Sequence, residues 1–350
     1  VSGIGEALET ARLAKGLTQA ELAARVGITQ AALSRYEHGL RKVEGADLER
    51  LAEELDVTPK LLEHAGRRQG AIAVNAHMRR NKTAKPTIWK MLEAQLNILR
   101  LRASSMFGEI EVNTVSQVPT FDPIDYSPAD AARLTRSQWR MPMGPVRNLT
   151  QWMESAGVLV FEQEFAEGAR VDGMSQWVDS YPIVLINCNV PVDRKRWTLA
   201  HELGHLVLHT EYLDEDVEVQ ANQFAAEFLM PEDEIRPSLR NPTLGNFLSL
   251  KREWGVSIAA LVERAFALQV IDKTKRTSFY KMMSARGMRT VEPGSESLAP
   301  ETPQLASYIA KTLLSQGLSE KEIAYLAGFP SAAQNVVFDT GQKKTRLRAV

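Results

Sequence analysis

The stretch "TLAHELGHLVLH" (198–209) constrains this chain more than any other. Leu199, Leu203, Leu206, Val207 and Leu208 surround His201, Glu202 and His205 at helical spacing. An apolar run of this kind forms a helix that packs into a core. It carries two imidazoles and a carboxylate in with it, and such groups are costly to bury without partners. The chain must therefore build a domain around this helix that gives the three polar side chains something to bind.

Residues four apart share one face of a helix. His201 and His205 can thus offer two nitrogens to one Zn²⁺, with Glu202 beside them to hold the metal's water and take its proton. Catalytic zinc needs a third protein ligand. His209 continues the series, but a helix rises roughly 12 Å over eight residues, whereas Zn–N bonds are about 2 Å. His209 is therefore set aside. The next helical pattern, "DVEVQANQFAAEFLMP" (216–231), puts Glu218, Asn222, Ala225 and Leu229 on one stripe. Glu218 is the expected third ligand, with Asn222 behind it. The arrangement resembles the E-x-x-x-D pattern of gluzincin peptidases. Glu227, about half a turn off the stripe, is the alternative. Metal-assisted hydrolysis follows: zinc polarises the water and the scissile carbonyl, and Glu202 moves the proton to the leaving amine. The strand candidate "PIVLIN" is expected to hold an extended substrate by β-addition.

A different pattern opens the chain. "GLTQAELAARVGITQAALSRYEHG" (16–39) contains two short helices about Gly27, the first capped by Thr18 with Glu21, the second by Thr29. Leu22, Ala23, Val26, Leu33 and Tyr36 form the inner face. Gln30, Ala31, Ser34 and Arg35 then face a DNA major groove, where Gln pairs with adenine and Arg with guanine. Gln19 and Thr29 suit phosphates, and Arg41 and Lys42 follow the recognition helix.

The remainder reads as connection and packing. The expected domains are 1–65 (helix–turn–helix), 66–117 (basic connector and helix), 118–284 (metallopeptidase), 285–303 (linker) and 304–350 (a small helical segment). Helices are expected over 89–106, 127–139, 144–157 and 243–270, and strands at "VLVFEQE" and "YPIVLIN". No tandem repeat is evident. Net charge is −1 over 350 residues, so nucleic-acid binding must come from a local patch. The single cysteine, Cys188, excludes an intramolecular disulfide and reads as a buried small hydrophobe. No apolar run approaches a membrane span and no signal peptide is evident, so the expected location is the cytoplasm, with no membrane partner.

Two resemblances sharpen these readings. "PIVLINCNVPVDRKRWTLAHELGHLVLH" and "EVQANQFAAEFLMP" resemble the ImmA/IrrE family of zinc metallopeptidases, over roughly 120–235. Residues 4–63 resemble the XRE family of repressor-like helix–turn–helix proteins. The fold implied is mainly α with a small β-sheet: an N-terminal all-α repressor-like domain, then an α+β zincin-like domain of gluzincin type. The resemblance implies a Zn²⁺ cofactor at His201, His205 and Glu218, with catalytic Glu202. It also implies a homodimer on double-stranded operator DNA. The implied substrate is a helix–turn–helix repressor, or the chain itself, cut in stress, mobile-element or toxin–antitoxin control. The alternative is a transcription factor whose metallopeptidase fold senses a ligand or zinc without turnover.

Overall fold

Caps written into the sequence set most helix starts. The computed structural model describes residues 3–67, 86–107, 114–167, 169–178, 181–209, 216–289 and 291–340. The chain divides into two compact units. The first opens with α1 (Gly3–Ala14), α2 (Gln19–Val26), α3 (Gln30–Glu37), α4 (Gly45–Glu54) and α5 (Pro59–Arg67), and continues in α6 (Pro86–Phe107). Thr18 and Glu21 form the expected capping box, and Gly27 ends α2 at φ 71°. Thr29 Oγ1 accepts from the Ala32 N–H at 3.2 Å. Leu22, Ala23, Val26, Leu33 and Tyr36 are all buried, as their spacing requires. Beneath them the buried Arg12 guanidinium donates to both Glu37 carboxylate oxygens, at 2.6 and 2.9 Å. Most of the basic connector expected at 66–90, namely 68–85, and the basic tail "KKTRLR" (343–348) lie outside the described residues.

The second unit holds α7 (Pro128–Gln138), α8 (Leu149–Ser155), β1 (Leu159–Gln163), β2 (Gly173–Val178), β3 (Tyr181–Asn187), α9 (Val192–Leu208) and α10 (Val217–Leu229). It ends in α11 (Glu232–Ile235), α12 (Leu244–Trp254), α13 (Ile258–Ala267) and α14 (Lys273–Ala285). The sheet order is β1-β3-β2. β3 pairs in parallel with β1, Leu159 opposite Ile183, and antiparallel with β2, Ser175 opposite Val184. Leu199, Leu203 and Leu206 of α9 share one core with Phe224 and Phe228 of α10.

Several expectations change. The helix expected over 144–157 starts at Leu149, because Asn148 caps it by accepting from the Gln151 N–H at 3.2 Å. The stretch 243–270 is two helices, broken at Gly255 (φ 67°) and restarted by the Ser257 cap. β2 and α14 were not expected. Residues 285–303 are not a free linker. The Glu292 carboxylate accepts from the Ile258 and Ala259 N–H groups at 2.6 and 3.0 Å, completing the start of α13, and from Lys251 Nζ at 2.9 Å. Glu301 accepts from the Thr150 N–H at 3.0 Å. A segment rich in Ser, Pro and Glu looks like a linker, but here its acids are the partners of buried donors. Cys188 is only half-buried at the end of β3, not a core residue.

Residues 304–340 belong to the first unit, with α15 (Leu305–Ser315) and α16 (Glu320–Leu326). Here "GLSEKEIAYLAGF" (317–329) repeats the order and spacing of "GLTQAELAARVGI" (16–28). Both copies carry a capping box, Thr18 with Glu21 and Ser319 with Glu322. Both end in a left-handed glycine, Gly27 and Gly328. The copies diverge afterwards: α3 follows the first, whereas 330–340 runs as turns.

Candidate metal centre and nucleic-acid interface

The candidate metal site lies where α10 crosses α9 at Gly204. A Cβ there would meet Ala221 Cα and Phe224 Cβ at 3.2 Å. Glycine thus lets the two backbones approach, and Glu218, one turn before that crossing, reaches the histidines. His201 Nε2 and His205 Nε2 lie 3.1 Å apart. Glu218 places Oε2 3.4 Å from His201 Nε2 and Oε1 3.5 Å from His205 Nε2. One ligand atom from each of the three residues falls within 4.8 Å of the others.

Both histidines are held from behind. His201 Nδ1 lies 3.1 Å from Asn222 Oδ1, while Asn222 Nδ2 donates to the Glu218 carbonyl at 2.8 Å. His205 Nδ1 lies 3.0 Å from His209 Nδ1. With both Nδ1 atoms engaged, the two Nε2 atoms face each other. Glu218 Oε1 is buried with no hydrogen-bond partner among the described residues. Converging lone pairs and an unsatisfied carboxylate oxygen repel one another unless a cation sits among them. In a tetrahedral site with Zn–N bonds of about 2.0–2.1 Å, two ligand nitrogens stand roughly 3.3 Å apart. The residues therefore fit zinc, in donor type and in spacing.

Burial pushes the Glu218 carboxyl up, but the close approach of the His201 and His205 imidazoles outweighs it and holds the group far below the usual carboxylate range. Burial pulls His201 down, yet the Glu218 hydrogen bond and the charges of Glu202 and Glu218 leave it above its ordinary value. Glu202 is buried beside this pair. Ser175 Oγ of β2 donates to Glu202 Oε2 at 2.6 Å. Gly173 brings β2 flush against α9, since a Cβ there would sit 2.5 Å from Thr198 Cγ2 and 3.3 Å from Glu202 Cγ.

The alternative third ligand, Glu227, is engaged elsewhere. The Glu227 carboxylate is bonded to Arg133, at 3.0 Å, and to Arg264. It shares α10 with Glu218 but serves a buried ion cluster. His209 lies outside the cluster of three and packs against His205 Nδ1 instead. The strand expected to hold an extended substrate is not an edge. β3 is paired on both sides and has no free edge, so it cannot accept another strand. Among the described residues the open edge beside α9 belongs to β2. Asn187 N–H donates to Asp172 O, and the alternation from that pair turns the backbone groups of Gly173, Ser175 and Trp177 outward.

In the first unit, α3 presents Gln30, Ala31 and Arg35 to solvent, with Ser34 half-buried. Gln30 Nε2 donates to Gln19 Oε1 at 2.8 Å, and Gln19 Nε2 donates to Glu37 Oε2 at 2.7 Å. Gln19 thus orders Gln30 as well as flanking α2. Thr29 caps α3. Arg41 lies over the Tyr36 ring, 5.4 Å from its centroid, and Lys42 pairs with Glu44. Leu40, which the pattern did not single out, is 79% exposed beside them.

Residues 8–62 match the family model described as Helix-turn-helix, and residues 153–266 match the IrrE N-terminal-like domain. The chain is 28% identical over 179 residues to the radiation response metalloprotease IrrE of Deinococcus radiodurans, a match covering 41% of this chain and 55% of that protein. It thus spans about half the length of this curated relative. No helix among the described residues is long and apolar enough to cross a membrane.

Proposed function

We propose that this chain, which joins a helix–turn–helix domain to an IrrE N-terminal-like domain, is a DNA-binding regulator and zinc-dependent endopeptidase. Its substrate is a repressor-type regulatory protein or the chain itself. The observation that carries this reading is the convergence of His201, His205 and Glu218 beside buried Glu202. The similarity to a radiation response metalloprotease agrees with it.

His201, His205 and Glu218 would hold Zn²⁺. When bound, the ion supplies Lewis acidity toward a water and a scissile carbonyl. Glu202 takes the proton of the attacking water and returns it to the leaving amine. Ser175 fixes one oxygen of that carboxylate, leaving the other for the proton. The outward backbone groups of Gly173, Ser175 and Trp177 hold an extended substrate beside Glu202. A homodimer would set two α3 helices on one operator.

The test is a cleavage assay of the purified chain with repressors encoded beside its gene, with and without chelator. Cutting should need metal, and Glu202→Gln should keep the metal and abolish cutting. Equal regulation in cells by wild type and Glu202→Gln would replace the peptidase with a sensor.

A further inference from the structure

His205 and His201 are supported differently. His201 leans directly on an amide, Asn222. His205 leans on a second histidine, and that histidine leans on an amide: His209 Nε2 lies 2.8 Å from Gln220 Oε1. His205 and His209 are both completely buried, so each ring nitrogen must be matched as donor or acceptor.

The matching has one solution when His205 binds metal through Nε2. A ligating Nε2 carries a lone pair, so the His205 proton sits on Nδ1. That N–H needs an acceptor, and it faces His209 Nδ1 at 3.0 Å. His209 Nδ1 must then be unprotonated, which puts the His209 proton on Nε2. Gln220 Oε1 only accepts, so it takes that proton's hydrogen bond and fixes the tautomer. The sequence of bonds runs Gln220, His209, His205, with one donor and one acceptor at each step. The backbone keeps the geometry, because His209 N–H donates to the His205 carbonyl at 2.9 Å.

We infer that His209, backed by Gln220, is a positioning residue that sets the tautomer and orientation of the metal-binding His205. The inference rests on the metal site proposed above. It assigns a role to the third histidine of "HELGHLVLH", which cannot itself reach the metal. It also makes α10 the source of one ligand and both supporting amides: Glu218, Gln220 and Asn222.

The test uses the full chain, metal-free, titrated with Zn²⁺ against a chromophoric chelator and with Co²⁺ read by its visible spectrum. His209→Leu should weaken Zn²⁺ about 10- to 100-fold and alter the Co²⁺ spectrum. His209→Gln offers a side-chain oxygen in place of the lost acceptor and should recover most of the affinity. Gln220→Leu, at a half-buried site, should shift affinity in the same direction and decides the matter if His209→Leu does not fold. Wild-type affinity and an unchanged Co²⁺ spectrum in folded His209→Leu or Gln220→Leu would overturn the inference and leave the metal site standing. Failure of the wild type to bind, or full binding by His205→Ala, would overturn the metal site and this inference together.

Discussion

Ser175 Oγ donates to Glu202 Oε2 at 2.6 Å, joining the edge strand of the sheet to the proposed general base. The hydroxyl occupies one carboxylate oxygen and fixes the plane of the other. Ser175→Ala should leave Zn²⁺ affinity unchanged, because the Ser175 hydroxyl bonds to Glu202 and not to His201, His205 or Glu218. General-base catalysis is worth about 10²- to 10⁴-fold, and losing orientation without losing the base should lower kcat roughly 10-fold or more with KM nearly constant. Steady-state kinetics on the cleaved substrate check this; a wild-type kcat would show that Glu202 is oriented without Ser175.

Metal binding should depend on pH in a direction set by His201. Its pKa is raised above the ordinary 6.5, chiefly through Glu218 once the opposing effect of burial is overcome. As pH falls through that raised value, an entering metal must displace a proton, and affinity drops about tenfold per pH unit for each proton displaced. The metal-free chain behaves oppositely on the alkaline side. A raised His201 stabilises the fold below its unfolded value of 6.5 and stops doing so as pH rises through the folded pKa. A lowered Glu218 stabilises it above 4.5 and is lost as pH falls. Melting curves with chelator should therefore show this site's contribution greatest between 4.5 and 6.5, declining above 6.5 as pH rises through the raised His201 value. Added Zn²⁺ should move that optimum upward.

The convergence of His201 and His205 was legible because the two residues report on one another locally: i, i+4 spacing alone puts them on one face of α9. The choice between Glu218 and Glu227 needed three dimensions, since Arg133 and Arg264 are remote in sequence from the carboxylate they occupy. β2 was illegible for a different reason. Its Ser175 and Gln176 are both buried, so "GMSQWV" lacks the alternation of apolar and polar residues that marks a strand with one wet face. β3 was read correctly as a strand but given an edge role, because a continuous apolar run says nothing about how many neighbours a strand has. A near-continuous apolar strand is in fact the mark of a central one.

The proposed DNA interface assigns base reading and positioning to different residues. Gln30 is exposed yet already held by Gln19, so little freedom is lost when it meets a base. Gln30→Ala and Arg35→Ala should each cost about 1–3 kcal/mol on the preferred operator and relax its sequence preference. Arg41→Ala should weaken binding to all sequences alike and flatten the salt dependence by about one unit. Footprints at several salt concentrations distinguish the two effects; identical preferences in all three variants would remove α3 from the groove.

Arg102 ties the C-terminal helices to the N-terminal ones within the first unit. Its guanidinium donates to the carbonyls of Ala327 at 3.1 Å and Asp56 at 2.8 Å, and lies 3.4 Å from the centre of the Phe329 ring. Burial pulls its pKa down to about 9, with the Asp56 charge opposing, so the side chain remains cationic at neutral pH. Gly328 completes the joint: at φ 74° it lies against Leu61, where a Cβ would come within 2.7 Å. Its carbonyl accepts from the Thr58 N–H at 3.0 Å. Arg102→Met keeps the stem but leaves the Ala327 and Asp56 carbonyls without this donor. Two charge-assisted bonds are lost, and the expected cost is about 2–4 kcal/mol. The change should appear as a lower urea midpoint for the first unit and faster hydrogen exchange across α15 and α16. A chain ending at residue 303 uncovers Leu61 as well and should lose at least as much. An unchanged midpoint in both would mean that the second capped-helix motif rests on the N-terminal helices without stabilising them.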